Sequence, residues 1–391
     1  MFGYFIDFRV MSTKEKEEEP TTTTTTSSDN GQILKSPLHV SVCTPTATPT
    51  TLHPSSPRSK ALYNTSVGRH NFKRVRQVGY GAIGKVFIVK PVGLGGISDT
   101  YFAMKRMSKE DITKKKKTKR VFTERNVLMK ANHPFICTLY YSFQTKTKLY
   151  YIMQYCAGGE FFRMLKTQPE KRLKEADAKF YAAEILLALE YLHLIGFYYR
   201  DLKPENILVH ATGHVMLTDF DLSKTMSVET KPTIKRVQSN EKTKRRVSNL
   251  FGLTKPKKDV LDTDTNISID RTLSVLGTVE YMPREMLTGQ GYGSSADWWS
   301  FGILIYEMLY SCTPFKGKNW EATLSNIRRD VDITLPEKPA VSKHCGRLLK
   351  SILCASSSVS RLDTAVKIKQ HKWFRDINFQ LIRNMTPPIV R

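Results

Sequence analysis

The pattern of apolar and polar positions divides this chain into stretches of different period. Over residues 72–90 (FKRVRQVGYGAIGKVFIVK) apolar and polar residues alternate on either side of a glycine-rich turn, which predicts two strands. Gly93-Leu94-Gly95-Gly96 predicts a hairpin loop, and residues 101–107 (YFAMKRM) predict a third strand. A basic helical stretch then leads into TKRVFTERNVLMKA, residues 118–131, and two further strands are expected near 138–143 and 149–154. After Gly158-Gly159 the period changes to 3.6. Residues 175–194 read as an amphipathic helix and residues 297–309 (DWWSFGILIYEML) as another. The expected fold class is α+β and bilobal: an antiparallel-sheet lobe over 69–153, a hinge at 154–159 and a mainly helical lobe over 160–374.

Two stretches lack such a period. Residues 1–68 hold Thr21–Thr26, several Ser/Thr-Pro steps and an acidic run from Glu15 to Glu19. They carry too little apolar surface to offset the entropy of ordering, so they read as a disordered tail. Residues 225–270 are rich in Ser, Thr and Lys and form a long insertion within the second lobe. Residues 375–391 complete the chain as a short C-terminal tail.

Charge and cysteine usage narrow the function classes. With 61 Lys and Arg against 36 Asp and Glu the formal net charge is +25, which invites a nucleic-acid reading. No recognised nucleic-acid module accompanies the charge, and most of these cations read as solvated surface, so no specific nucleic acid is expected. The six cysteines show no CxxC pair, as expected of buried thiols in a reducing compartment. No apolar run reaches the roughly 18 residues that span a bilayer. The opening MFGYFIDFRVM is broken by Asp7 and lacks a basic leader, so it does not read as a signal peptide. The expected location is the cytoplasm, with the plasma-membrane surface and the nucleus as further addresses.

The chemistry-bearing residues come in order. GYGAIGKV at 79–86 matches a glycine-rich loop whose Gly79, Gly81 and Gly84 let backbone N–H groups approach phosphates. Lys105 on the next strand is placed to contact phosphates, with Glu124 on the following helix as its ion-pair partner. Residues 199–206, YRDLKPEN, precede the apolar ILV, and Asp219-Phe220-Asp221 follows VMLT. Three phosphates concentrate negative charge, so a site handling them needs cations, backbone dipoles and metal-binding oxygens together.

Together these motifs resemble the protein-kinase signature set. Protein kinases are the standard case of this phosphoryl-transfer chemistry, and the resemblance carries their residue roles over. The resemblance implies ATP and two Mg²⁺ as cofactors. Asp201 would be the catalytic base and Lys203 would steady the γ-phosphate, while Asn206 and Asp219 would hold the metals. ATP contacts would come from Val78, Gly79, Tyr80, Gly81, Ala82, Gly84, Lys85, Val86, Ala103, Lys105, Met153 as gatekeeper, Gln154, Cys156, Glu160 and Leu208. Phe220, Tyr199, Leu128 and Leu139 would form the regulatory stack.

More narrowly, HPFICTLYYSFQT at 133–145, GGEFF at 158–162 and GTVEYM at 277–282 resemble the AGC group of serine/threonine kinases. DFD in place of DFG, followed by a long insertion, resembles the fungal flippase kinases and plant AGC-VIII kinases. EADAKFYA, ALEYLHLIGF, CTPFKG and NMTPPIV favour the fungal type. In that group Glu160, Glu205 and Glu307 would read arginine upstream of the phosphoacceptor, giving an R-x-x-S/T preference. Val275, Val279 and Met282 would line an apolar pocket for the residue after it. The chain carries such sites itself, at Arg245-Arg246-Val247-Ser248 and Arg271-Thr272-Leu273-Ser274. Ser274 aligns with the activation-loop phosphosite, to be read by Arg200 and Lys224. Glu285 would pair with Arg361.

Departures from the pattern are Asp221, Pro283-Arg284 in place of Ala-Pro, and no Phe-x-x-Phe motif before Arg391. Asp221 replaces a glycine that normally permits unusual φ and is less free than glycine, which predicts a rarer flipped Asp-Phe state. Pro283-Arg284 alters the rigidity of the loop without indicating a direction. A catalytically weak pseudokinase scaffold is the alternative, supported only by Asp221 and Pro283-Arg284. Residues 242–258 hold seven Lys/Arg and no acid, interleaved with Val247, Leu250, Phe251 and Leu253, a pattern suited to an anionic membrane surface. A nuclear-import signal and a solvated loop are the rival readings of that segment, and a monomer is expected.

Overall fold

The computed structural model describes residues 41–42, 67–81, 83–94, 100–226, 279–287, 293–329, 332–354 and 361–389. A six-stranded antiparallel sheet forms the first lobe, in the order β1-β5-β6-β4-β3-β2. Its strands are β1 (Ser41–Val42), β2 (Phe72–Gly81), β3 (Gly84–Pro91), β4 (Phe102–Ser108), β5 (Leu139–Gln144) and β6 (Lys148–Gln154). The β2–β3 pairing is interrupted by irregularities between Arg74 and Arg76 and between Gln77 and Gly79. Those breaks twist the glycine-rich end of the hairpin out of the plain ladder. β4 pairs with β6 in unbroken register, Ala103 facing Met153 and Lys105 facing Tyr151.

Two helices follow β4: α1 (Lys109–Lys114) and α2 (Thr118–Lys130). α1 starts where the Ser108 hydroxyl accepts from the Asp111 N–H. α2 buries Val121, Glu124, Val127 and Leu128, residues three and four apart that share one face. A carboxylate on that otherwise apolar stripe costs free energy unless it is paired.

The second lobe is built on α4 (Glu175–Leu194) and α6 (Ser294–Tyr310), which pack against each other. α4 buries eleven side chains, among them Tyr181, Ile185, Leu186, Leu189 and Leu192; each large aliphatic one contributes about 1.5–3 kcal/mol. Before α4 come β7 (Gly159–Glu160) and α3 (Phe161–Thr167). After it come β8 (Phe197–Tyr198), β9 (Ile207–Val209), β10 (Val215–Leu217) and β11 (Lys224–Thr225). α5 (Arg284–Leu287), α7 (Trp320–Arg328), α8 (Lys343–Ile352) and α9 (Ala365–Lys369) complete the lobe.

One apolar core runs from the α2 side of the sheet into the helical lobe, and includes Leu128, Leu139, Tyr199 and Phe220. A second cluster on the outer side of the sheet gathers Val67, Phe72, Phe87, Phe102, Phe143 and Tyr150. Among the described residues no helix is long and apolar enough to cross a membrane.

Three boundaries differ from the sequence reading. Ser41–Val42, inside the stretch read as a disordered tail, forms β1 against Ser142 and Tyr141 of β5. Val67, also assigned to that tail, is buried among the aromatic residues of the outer cluster. Thr225, taken as the start of the insertion, belongs to β11, where it pairs with Phe197. Residues 227–278 of the insertion and activation segment, with Val275 and Ser274, lie outside the described residues.

Candidate active site

The first element of the site is the pair at the back of the sheet. Lys105 on β4 donates to Glu124 on α2 at 2.5 Å, and Lys105 lies 3.8 Å from Asp219. Glu124 is 2% exposed. Burial works against the charge on Lys105, but the charges of Glu124 and Asp219 outweigh it and push its pKa up. Burial also pushes the Glu124 carboxyl up, to about 7, with Lys105 pulling it back. The shared proton belongs on Lys105, because Glu124, Asp219 and Asp221 all act on that ammonium and leave it no neutral state worth adopting.

The second element is the loop after β8. Asp201 is 8% exposed, and its carboxylate accepts from Lys203 Nζ at 2.8 and 2.9 Å and from Asn206 Nδ2 at 2.6 Å. Asn206 Nδ2 also donates to the Asp201 carbonyl at 2.9 Å. The loop is held from below by Asp297 of α6, which is fully buried and accepts from the Tyr199 N–H at 2.8 Å, the Arg200 N–H at 2.7 Å and His193 Nε2 at 2.8 Å. Arg200 has φ 71, a left-handed backbone that its side chain disfavours and that Asp297 stabilises by taking the flanking amides.

The third element, Asp219, reaches the same place through the β9–β10 pair. Ile207 faces Leu217, so Asn206 and Thr218 are neighbours across the pair, and the Thr218 N–H donates to the Asn206 carbonyl at 3.0 Å. The Tyr199 hydroxyl donates to the Thr218 carbonyl at 2.6 Å, and its ring lies 5.4 Å from that of Phe220. Leu128, Leu139, Tyr199 and Phe220 are all buried, as the regulatory stack requires.

The Asp-Phe-Asp segment carries one unusual backbone angle. The residue at positive φ is Asp219, at 58°, and Asp221 is not among the positive-φ residues. Asp221 lies 3.8 Å from Arg120 of α2. Burial raises the pKa of its carboxyl, as does Asp219, while Lys105 and Arg120 oppose the rise.

The glycines divide by role. A Cβ at Gly84 would sit 2.4 Å from the Arg106 carbonyl oxygen, so this glycine serves the close approach of β3 to β4. A Cβ at Gly81 would meet nothing nearer than 3.8 Å, so the space over it is open. Open room at an exposed hairpin tip, with Lys105 paired to Val86 on the neighbouring strand, fits a polyphosphate. Ala103 faces Met153, Leu208 on β9 pairs with Glu160 of β7 and Met216 of β10, and Cys156 is buried beside Met216. Burial pushes the Cys156 thiol up to about 12, so it acts as an apolar wall. Val78 and Tyr80 are exposed, Val86 and Lys85 half-buried, and Ala82 lies outside the described residues. Gln154 donates its N–H to the Thr138 carbonyl at 2.9 Å, fixing the hinge.

Asn206 and Asp219 offer oxygen donors only, and among the described residues no group of three or more His, Cys, Asp or Glu forms a closed metal cage. An incomplete all-oxygen set suits Mg²⁺, which takes one or two carboxylates and completes its shell from phosphates and water.

Two of the acidic residues assigned to substrate recognition lie in one cluster, and the third lies on a strand that touches it. Glu205 and Glu307 belong to one acidic cluster: burial raises the Glu307 pKa, and Glu205 and Glu280 raise it further. The Tyr281 hydroxyl donates to Glu307. Glu280, which the sequence reading missed, also accepts from Thr313 at 2.5 Å and lies 3.6 Å from Lys316. Its signal was its place in GTVEYM, two residues before Met282. Glu160, on β7, whose residues contact the Pro204–Asn206 turn that carries Glu205, forms an exposed pair with Arg163 at 3.1 Å. Val279 is buried and Met282 half-buried.

Glu285 and Arg361 lie 2.9 Å apart, both largely buried. Arg284, whose effect the sequence did not sign, is buried too. Its guanidinium packs 5.3 Å from the Trp299 ring and 5.7 Å from Phe315, and Nε donates to the Ile327 carbonyl of α7 at 2.8 Å. It therefore stiffens the end of the activation segment. Lys224 faces Tyr198 across β8–β11, two residues from Arg200.

A family model described as "Protein kinase domain" matches residues 72–248 and 251–374. The chain belongs to the protein kinase domain family. The kinase is 46% identical over 341 residues to the serine/threonine-protein kinase nrc-2 of Neurospora crassa, covering 86% of this chain and 52% of that protein. It is 42% identical to flippase kinase 1 of Saccharomyces cerevisiae, covering 85% of this chain and 35% of that protein. To the serine/threonine-protein kinase AGC1-7 of Arabidopsis thaliana it is 37% identical, covering 83% of this chain and 64% of that protein. This kinase chain thus spans between about a third and two thirds of these relatives.

Proposed function

We propose that this chain is an active serine/threonine protein kinase that transfers the γ-phosphoryl group of ATP to Ser or Thr in proteins with an upstream arginine. The observation that carries the reading is the closed Lys105–Glu124 pair beside an Asp201 carboxylate already held by Lys203 and Asn206. A pseudokinase has no reason to keep a buried ion pair and a restrained base in one cleft, since each costs desolvation.

In this mechanism Asp201 takes the proton of the substrate hydroxyl and aims its oxygen at the γ-phosphorus. Lys203 is shared between Asp201 and the transferring oxygens. Lys105 orients the phosphates and Glu124 orients Lys105. Two divalent ions, when bound by Asn206 and Asp219, would supply the positive charge that offsets the developing charge on the phosphates. Phosphorylation of Ser274 would present a dianion to Arg200 and Lys224 and order the segment before Val279; Ser274→Ala is expected to lose activity.

Glu205, Glu280 and Glu307 support an arginine-binding patch, because burial first, and then the charges of Glu205 and Glu280, raise the Glu307 pKa, and a guanidinium would relieve that. Glu160 joins them only by releasing Arg163. The segment 242–258 would hold the enzyme, a cytoplasmic monomer, at an anionic membrane surface, in keeping with a relative named as a flippase kinase. The test is a peptide panel with Mg²⁺-ATP. R-x-x-S peptides are expected to be phosphorylated roughly tenfold better than their Arg→Ala counterparts, and Glu205→Ala should erase the difference. Equal rates on both peptide sets would refute the preference, and no transfer to any peptide by Ser274-phosphorylated enzyme would refute the activity. Sedimentation with anionic and neutral liposomes, with 242–258 neutralised as control, decides the membrane reading.

A further inference from the structure

We propose that Asp221 is a positioning residue: through Arg120 it tethers helix α2 to the Asp219 segment and so keeps Glu124 on Lys105. Arg120 and Glu124 are four residues apart on α2 and project from the same face. Glu124 reaches Lys105 at 2.5 Å, Lys105 lies 3.8 Å from Asp219, and Arg120 lies 3.8 Å from Asp221. Asp219 and Asp221 flank Phe220, which is fully buried. Three elements — α2, β4 and the 219–221 segment — are therefore closed into a ring by three contacts between opposite charges.

The ring has a division of labour. Two carboxylates two residues apart repel, and each needs its own cation. Lys105 serves Asp219 and Glu124 from the sheet, and Arg120 serves Asp221 from the helix. A residue without a carboxylate at 221 leaves α2 held to the sheet by Glu124, by its buried Val121, Val127 and Leu128 and by the Tyr151 hydroxyl on the Val121 carbonyl, but without this charge contact between its first turn and the 219–221 segment. α2 begins without a side-chain cap at Lys117, so that first turn gains from an external anchor. The Arg120 and Asp221 side chains are 39% and 22% exposed, so solvent weakens the contact and its effect is modest.

Amide exchange of residues 118–130 without nucleotide tests the tether, and a kinetic arm rests on the kinase reading above. In Asp221→Asn and in Arg120→Ala the helix should exchange about threefold faster at an unchanged melting temperature. Arg120→Lys, which keeps the charge, should restore most of the protection. The Asp221→Asn/Arg120→Ala double variant should exchange no faster than the worse single one. In turnover, kcat should fall about threefold in each single variant, with the KM for ATP within about twofold. Unchanged exchange in both single variants, or additive effects in the double variant, would overturn the proposal. Faster exchange in a protein that transfers no phosphate would support the tether and count against the kinase reading alone.

Discussion

The catalytic loop and the glycine-rich hairpin both serve the phosphates, yet they are built in opposite ways. Around Asp201 the polar groups are committed: two donors hold the carboxylate, and Asp297 takes the amides of Tyr199 and Arg200. The β2–β3 hairpin lies at the sheet edge, with six successive exposed positions from Lys73 to Val78 and Tyr80 78% exposed at its tip. A group that must aim a proton acceptor needs a fixed position, because small displacements cost rate. A flap that covers a diffusing nucleotide needs room to open, so it is drawn from the weakly packed edge.

Four substitutions probe that contrast, in order of expected effect. Asn206→Ala removes one of the two groups on the Asp201 carboxylate and a metal donor, and should lower kcat by roughly 10³-fold with little change in melting temperature. A loss under tenfold would mean the loop is held by Asp297 alone. Gly84→Ala drives a Cβ into the Arg106 carbonyl, and should cost about 2–3 kcal/mol of folding stability in denaturant titration. Arg284→Ala strands the Ile327 carbonyl and removes the stacking on Trp299, for about 2 kcal/mol, also read by denaturation. Gly81→Ala meets no atom nearer than 3.8 Å, so stability should hold while the KM for ATP rises about threefold. A matching stability loss in Gly81→Ala would erase the distinction between a glycine that serves strand packing and one that serves the ligand.

The sequence carried the framework well, for a physical reason. Helix 175–194 and the strands from 72 to 154 announce themselves through local period, and the structure places them within a residue or two. The residues of the site, likewise, sit in short motifs whose spacing is set by the tight β9–β10 turn. What local pattern could not carry was long-range partnership. Asp221 meets Arg120 across about a hundred residues of chain, and Glu280 joins Glu205 only once the segment folds back. Positive φ at Asp219, beside the fully buried Phe220, likewise leaves no periodic signal. Ser41–Val42 gave no periodic signal, since a two-residue strand is too short to have one, and the open edge of β5 supplies its partner.

The central claim is that Asp201 is the base of a working phosphoryl-transfer site, and it is tested most directly by Asp201→Asn. ATP affinity and transfer to an R-x-x-S peptide should be measured on the same sample. Asparagine keeps the shape and a hydrogen-bonding oxygen but cannot take the proton. Transfer should fall by roughly 10³-fold or more while ATP affinity stays within about threefold of wild type. Transfer at the wild-type rate would contradict the account.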